Sequence, residues 1–202
     1  MSKFNKEGLA NFLVPLSEGQ ITLRQAYDRL MAVGNPPTDV PLIVRLAENP
    51  EFHFLGFGFF KGRVTLRQHD FIHILLGRGL TLMDEAFVIG FTMGSSNRVS
   101  TREKEIFSFL ASKLYPKQYR FTKDGTQVFK DAVHMGYVSD CDPLEGVDFE
   151  PMLDLPLGEI RRRIRLEDDL LQAYYRIEAR RYPKSAASQR LILPQNRAHA
   201  QN

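Results

Sequence analysis

Two histidines and two acidic residues stand where a metal ion needs its donors: His69, Asp70 and His73 in one run, and Glu85 after a gap. At the helical increment of about 100° per residue, Asp70 lies about 100° and His73 about 40° round from His69, so all three project from one side. Leu66, Ile72 and Leu76 share that side, which sets the imidazoles and the carboxylate on or beside a face meant for the core. Glu85 shares its own helical face with Leu82, Val88, Ile89 and Thr92 and should also point inward. Two neutral imidazoles and two carboxylates form a nitrogen and oxygen shell that suits zinc, iron(II), manganese or cobalt better than calcium, with zinc the first expectation. Monodentate carboxylates would leave a position for water or substrate, as catalytic metals require. The same four residues would also serve as a hydrogen-bonded core cluster, because buried polar groups need partners whether or not an ion is present.

No other motif competes. The chain has no nucleophile elbow, no phosphate-cradling Gly-rich loop with lysine, and no dinucleotide fingerprint after a strand. Cys141 lacks an evident base partner. His53 and His134 are isolated and read as structural, and His199 falls in the C-terminal tail.

The elements that must position the four residues are helical. Thr65-Leu66-Arg67-Gln68 has the form of a capping box and opens a helix to Leu76, closed by Gly77-Arg78-Gly79. Thr81-Leu82-Met83-Asp84 caps a second helix to about Gly94, and so short a connection predicts an antiparallel hairpin carrying the site. Gly90 and Gly94 either admit another helix closely or mark a break near Gly94-Ser95-Ser96. Earlier in the chain, Thr22-Leu23-Arg24-Gln25 starts a helix running to Gly34, and Asp39 with Pro41 starts another ending near Asn49-Pro50. Phe52 to Phe60 reads as irregular and buried, or as one wall of a lipid-binding surface. Further helices are predicted over Glu103 to Tyr115, over Lys123 to Met135 with Gly136 as the stop, from Leu155 through Ile160, and over Leu166 to Arg181. No strand pattern appears. The fold class is therefore all-α, with residues 1–182 as a single compact multi-helix domain and residues 183–202 as a tail expected to lack order.

A chain of 202 residues holds one domain with a well-buried core. Every apolar stretch is interrupted by charge well short of the roughly 18 to 20 residues a membrane crossing needs. The start of the sequence does not read as a secretory signal, and a single cysteine fits a reducing cytoplasm. The net charge is +3, yet from Glu159 onward ten Lys or Arg face five Asp or Glu, so the basic excess sits at the C-terminal end. That excess reads as solvated charge, and the alternative reading of Arg161-Arg162-Arg163 and Arg180-Arg181 is a contact for an anionic membrane; no nucleic-acid partner is expected.

His69-Asp70-Phe71-Ile72-His73, followed after eleven residues by Glu85, resembles the His-Asp-x-x-His…Glu signature of the coenzyme Q (ubiquinone) biosynthesis protein 4 family. Downstream, Ala132-Val133-His134-Met135-Gly136, then Asp148-Phe149-Glu150 and Leu155-Pro156-Leu157-Gly158-Glu159-Ile160-Arg161, are similar to that family's closing segment, so the likeness spans Arg63 to Arg165. The resemblance implies an all-helical protein, a metal held by His69, Asp70, His73 and Glu85, and a nearby apolar pocket for a polyprenylated ring. It also implies removal of the ring carboxylate from a ubiquinone precursor, with or without oxygenation at that carbon. Peripheral attachment at the inner face of the membrane, contact with other quinone-biosynthesis proteins and a homodimer are what the same likeness implies. For oxygen chemistry, iron or another redox metal would suit better than zinc. The N-terminal third and the helix after Leu166 depart from the family pattern. A non-catalytic isoprenoid-binding scaffold of the same pathway is the alternative.

Overall fold

The computed structural model describes residues 8, 11–33, 66–96 and 122–192, whose regular elements are all helices. In chain order they form α1 (Leu23–Val33), α2 (Leu66–Leu75), α3 (Leu82–Ser95), α4 (Lys123–Val138), two 3-10 turns (Leu144–Gly146 and Glu150–Met152), α5 (Leu157–Arg163), α6 (Asp168–Arg181) and α7 (Ala186–Gln189). Among the described residues there is no strand, only one isolated bridge between Thr22 and Pro156. The expected helix over residues 39–49, the Phe52–Phe60 segment, the helix over residues 103–115, and His53 and His199 lie outside the described residues.

The capping box at Thr22 is present: Gln25 N–H donates to Thr22 Oγ1 at 3.2 Å and Thr22 N–H to Gln25 Oε1 at 3.0 Å. The remaining amides of that first turn find partners across the molecule, with Leu23 N–H on the Leu155 carbonyl and Arg24 N–H on that of Leu153. In return Leu157 N–H reaches the Ile21 carbonyl, so the start of α1 and the entry to α5 close on each other. Leu23, Ala26 and Leu30 then enter a hydrophobic cluster that runs from Phe12 to Tyr175.

α3 is buried from Ala86 to Ser95, so it lies inside the protein rather than on it. Its main partner is α4, not α2, which meets it in few places. The close approach of α3 and α4 rests on glycine. A methyl group at Gly94 would strike the Val133 carbonyl oxygen, and one at Gly136 the Phe91 carbonyl oxygen, so backbone lies against backbone. Gly136 therefore does not end α4; the helix carries it through to Val138 because the crossing needs it there.

Two other expectations change. The chain does not lose order at Pro183, because α7 follows and its Ser188 is fully buried. Arg161 is not part of an exposed basic patch: it is 1% exposed, and only its neighbours Arg162 and Arg163 face outward, each paired with Glu159. Among the described residues no helix is long and apolar enough to cross a membrane.

Candidate metal centre

The end of α2 and the start of α3 are built to hold a fixed turn. Arg78 N–H donates to the His73 carbonyl at 2.9 Å and Gly77 N–H to that of Ile74 at 3.1 Å, the paired bonds of a Schellman motif. Gly77 takes φ +63°, a conformation that costs an L-residue about 1–2 kcal/mol. Thr81 then starts α3 with a complete capping box, its N–H donating to Asp84 Oδ2 at 3.0 Å and its hydroxyl to the same oxygen at 2.7 Å.

These two helix ends bring His69, His73 and Glu85 to one point. His69 Nε2 lies 3.0 Å from Glu85 Oε1, His73 Nε2 lies 3.0 Å from Glu85 Oε2, and the two Nε2 atoms are 3.0 Å apart. Both rings are buried, and Glu85 keeps 14% of its side chain exposed. Asp70, expected as a fourth ligand, stands outside this three-residue group. The wheel angle already hinted at this, since Asp70 is further round the helix than His73.

Protons alone serve this arrangement poorly. His73 Nδ1 is 2.7 Å from the Gly79 carbonyl oxygen, which can only accept, so Nδ1 carries the hydrogen and a neutral ring turns a bare lone pair at Nε2 toward the centre. Glu85 is acceptor-only when ionised. If both Nε2 atoms were protonated to satisfy the carboxylate, two N–H groups would crowd each other across 3.0 Å. One cation facing all three side chains removes the conflict. Donor atoms about 2.0–2.2 Å from a shared ion stand roughly 3.0–3.5 Å from one another, the lower end belonging to an octahedral face and the upper to a tetrahedron, and the 3.0 Å separations found here fall at the lower end of that range. Two imidazoles and a carboxylate are a donor set used for zinc and for non-haem iron(II), with positions left for water or substrate.

The electrostatics favour positive charge beside Glu85, whether it is a proton on His73 or an ion. Burial pulls the His73 value down, but the Glu85 carboxylate more than offsets it and leaves the imidazole above its ordinary range. Burial opposes ionisation of Glu85, yet His69 and His73 hold its carboxyl far below the usual range. Asp70 goes the other way, raised mainly by burial.

Around the turn that carries this centre lie residues that sequence reading missed. Arg161 donates to the carbonyls of Leu75 and Leu16, both at 2.9 Å, and the Tyr175 hydroxyl donates to that of Leu76. Arg78, fully buried, makes a two-pronged pair with Glu178 at 3.1 and 2.5 Å while its guanidinium lies 3.8 Å from the Phe87 ring centre and 4.3 Å from that of Tyr175. A signal for these residues existed: Arg161 shares the apolar face of α5 with Leu157, Ile160 and Ile164, and Glu178 that of α6 with Leu171, Tyr174 and Tyr175. His134, by contrast, is exposed on α4 and takes no part. Cys141 is buried, which pushes its thiol up to about 12 and leaves it no thiolate character.

Comparison with models of protein families, with curated proteins and with solved structures finds no match for this chain.

Proposed function

We propose that this protein is a metal-dependent enzyme of ubiquinone biosynthesis, acting on the carboxylated aromatic head group of a polyprenylated precursor in a decarboxylation or oxidative decarboxylation. The observation that carries the metal is the convergence of His69, His73 and Glu85 at mutual separations of 3.0 Å around one point. The reaction and the pathway rest on the spacing of His69-Asp70-x-x-His73 and Glu85 and on the closing segment ending at Arg161.

A divalent ion bound there would supply a Lewis acid for a carboxylate substrate and for charge that develops as carbon dioxide leaves. The protein's own part is positional. His73 is fixed by its Nδ1–H bond to Gly79, which orients the ring and leaves Nε2 as the ligand atom. Glu85 is fixed by its place one residue after the buried cap residue Asp84. Zinc fits this donor set for non-redox chemistry, and iron for a reaction that consumes oxygen. Attachment to the inner membrane face, contacts with other proteins of the pathway and a homodimer belong to the same reading.

Elemental analysis of the purified protein beside His73→Ala tests the site. Stoichiometric zinc or iron in the wild type, lost in the variant, is the expected result, because removing one ligand costs most of the affinity. The enzymatic reading is tested by incubating the metal-loaded protein with a polyprenyl hydroxybenzoate, in air and without it. Release of carbon dioxide supports it; an untouched carboxylate under both conditions leaves the isoprenoid-binding scaffold in its place.

A further inference from the structure

The segment that follows α6 folds back onto the turn between α2 and α3. Gln189 donates through its side chain to the Ala179 carbonyl at 2.7 Å and to that of Tyr182 at 3.3 Å, and Ser185 caps α7 by accepting from Ser188 N–H. This docks α7 against the end of α6, where the Ser188 hydroxyl donates to Glu178 Oε1 at 2.9 Å. Two residues on, the guanidinium of Arg190 reaches Asp84.

That contact touches both supports of the metal centre. Asp84 is fully buried, carries the cap that starts α3, and immediately precedes Glu85. The same Arg190 guanidinium lies against Gly79, so closely that a methyl group there would collide with it. Gly79 owns the carbonyl that receives His73 Nδ1–H. A single side chain therefore spans the peptide that orients one ligand and the cap that orients another.

We propose that Arg190 is a positioning residue for the metal centre, clamping Asp84 and Gly79 so that His73 and Glu85 keep the spacing that lets them share one ion. The inference rests on the reading of His69, His73 and Glu85 as ligands. Arg190 is more than a hundred residues from all of them in sequence, beyond the part of the chain that resembles the ubiquinone family. Its planar fork suits contact with a carboxylate and a backbone at once, which a lysine ammonium cannot reproduce in full.

The experiment compares wild type, Arg190→Ala, Arg190→Lys and His73→Ala in full-length protein, titrating zinc or iron(II) against a chromogenic chelator. Arg190→Ala is expected to bind about 10–100-fold more weakly, the effect usual for a group that supports a ligand, with Arg190→Lys recovering part of the loss. On metal-free protein, the ¹⁵N signals of the His73 ring should show a hydrogen-bonded Nδ1–H in the wild type and a mixture of tautomers in Arg190→Ala. A variant that melts at lower temperature but keeps the wild-type metal constant and the His73 signals overturns the proposal, since the ion pair would then be structural only. If the wild type binds neither metal, the functional reading falls by itself, and the His73 signals still decide: changed in Arg190→Ala they support positioning of the ring, unchanged they refute it. Should Arg190→Ala not fold, the Arg190→Lys comparison carries the same outcomes.

Discussion

The Gly79 carbonyl makes His73 a one-sided group, since its Nδ1 is committed to the backbone and only Nε2 faces Glu85 and His69. Whether a proton or a metal ion answers the Glu85 charge can be read from the pH dependence of stability. In metal-free protein the raised His73 value adds stability that is complete below the ordinary imidazole range and is lost as pH rises through the raised value. The lowered Glu85 value adds stability that is complete above the ordinary carboxylate range and is lost as pH falls toward its depressed value. A metal ion competes with protons for the same nitrogen atoms and binds better as pH rises. Thermal melts between about pH 6 and pH 8 are therefore expected to fall for the metal-free protein while the stabilisation by added zinc widens, given that ligand histidines must be neutral. Parallel trends in both forms would count against the metal reading.

Among the described helices, α3 is buried along most of its length and cannot be exchanged for a surface helix. It presents Glu85 to α2 near its start and stacks its glycine edge on α4 further along. An alanine at Gly94 would favour the helix by about 1 kcal/mol on propensity alone. Here the added methyl meets the Val133 carbonyl well inside contact distance. Gly94→Ala is expected to destabilise the protein by about 1–3 kcal/mol, the usual cost of overpacking, in urea or thermal unfolding. A neutral or stabilising result would mean that α3 and α4 lie further apart than the structure places them. The turn between α2 and α3 is set as firmly, because Arg161, Tyr175 and His73 each take one of its carbonyls.

Across the whole molecule, the C-terminal helices act as a clamp on that turn. Arg78, Glu178, Asp84 and Arg190 form a charge-balanced group in which both carboxylates and Arg78 are fully buried. Breaking such a group from one side leaves a buried charge behind. Glu178→Ala is expected to cost about 3–5 kcal/mol in denaturant unfolding, because Asp84 at 3.8 Å is then the one carboxylate left beside Arg78 among the described residues. A loss below about 1 kcal/mol, typical of an exposed pair, would show that water reaches Arg78. The N-terminal end is tied in by a different device, the reciprocal backbone bonds between residues 19–24 and 153–158, reinforced by the exposed pair of Arg24 and Asp154.

The all-helical class, the capping box at Thr22, the cap at Thr81 and the facing of His69, His73 and Glu85 were legible in sequence, because each follows from side-chain chemistry within a few turns of helix. Helical period placed Asp70 on the edge of that face but could not say that it falls outside the three-residue group. The stop assigned to Gly136 came from local propensity, and packing against α3 overrode it. The basic run at Arg161 looked solvated because charge is ordinarily exposed. Its burial depended on two carbonyls from distant segments, Leu16 and Leu75. The same holds for Arg78 with Glu178 and for Arg190 with Asp84. Pairings a hundred residues apart leave no periodic trace, so only the tertiary structure decided what surrounds and steadies the three candidate ligands.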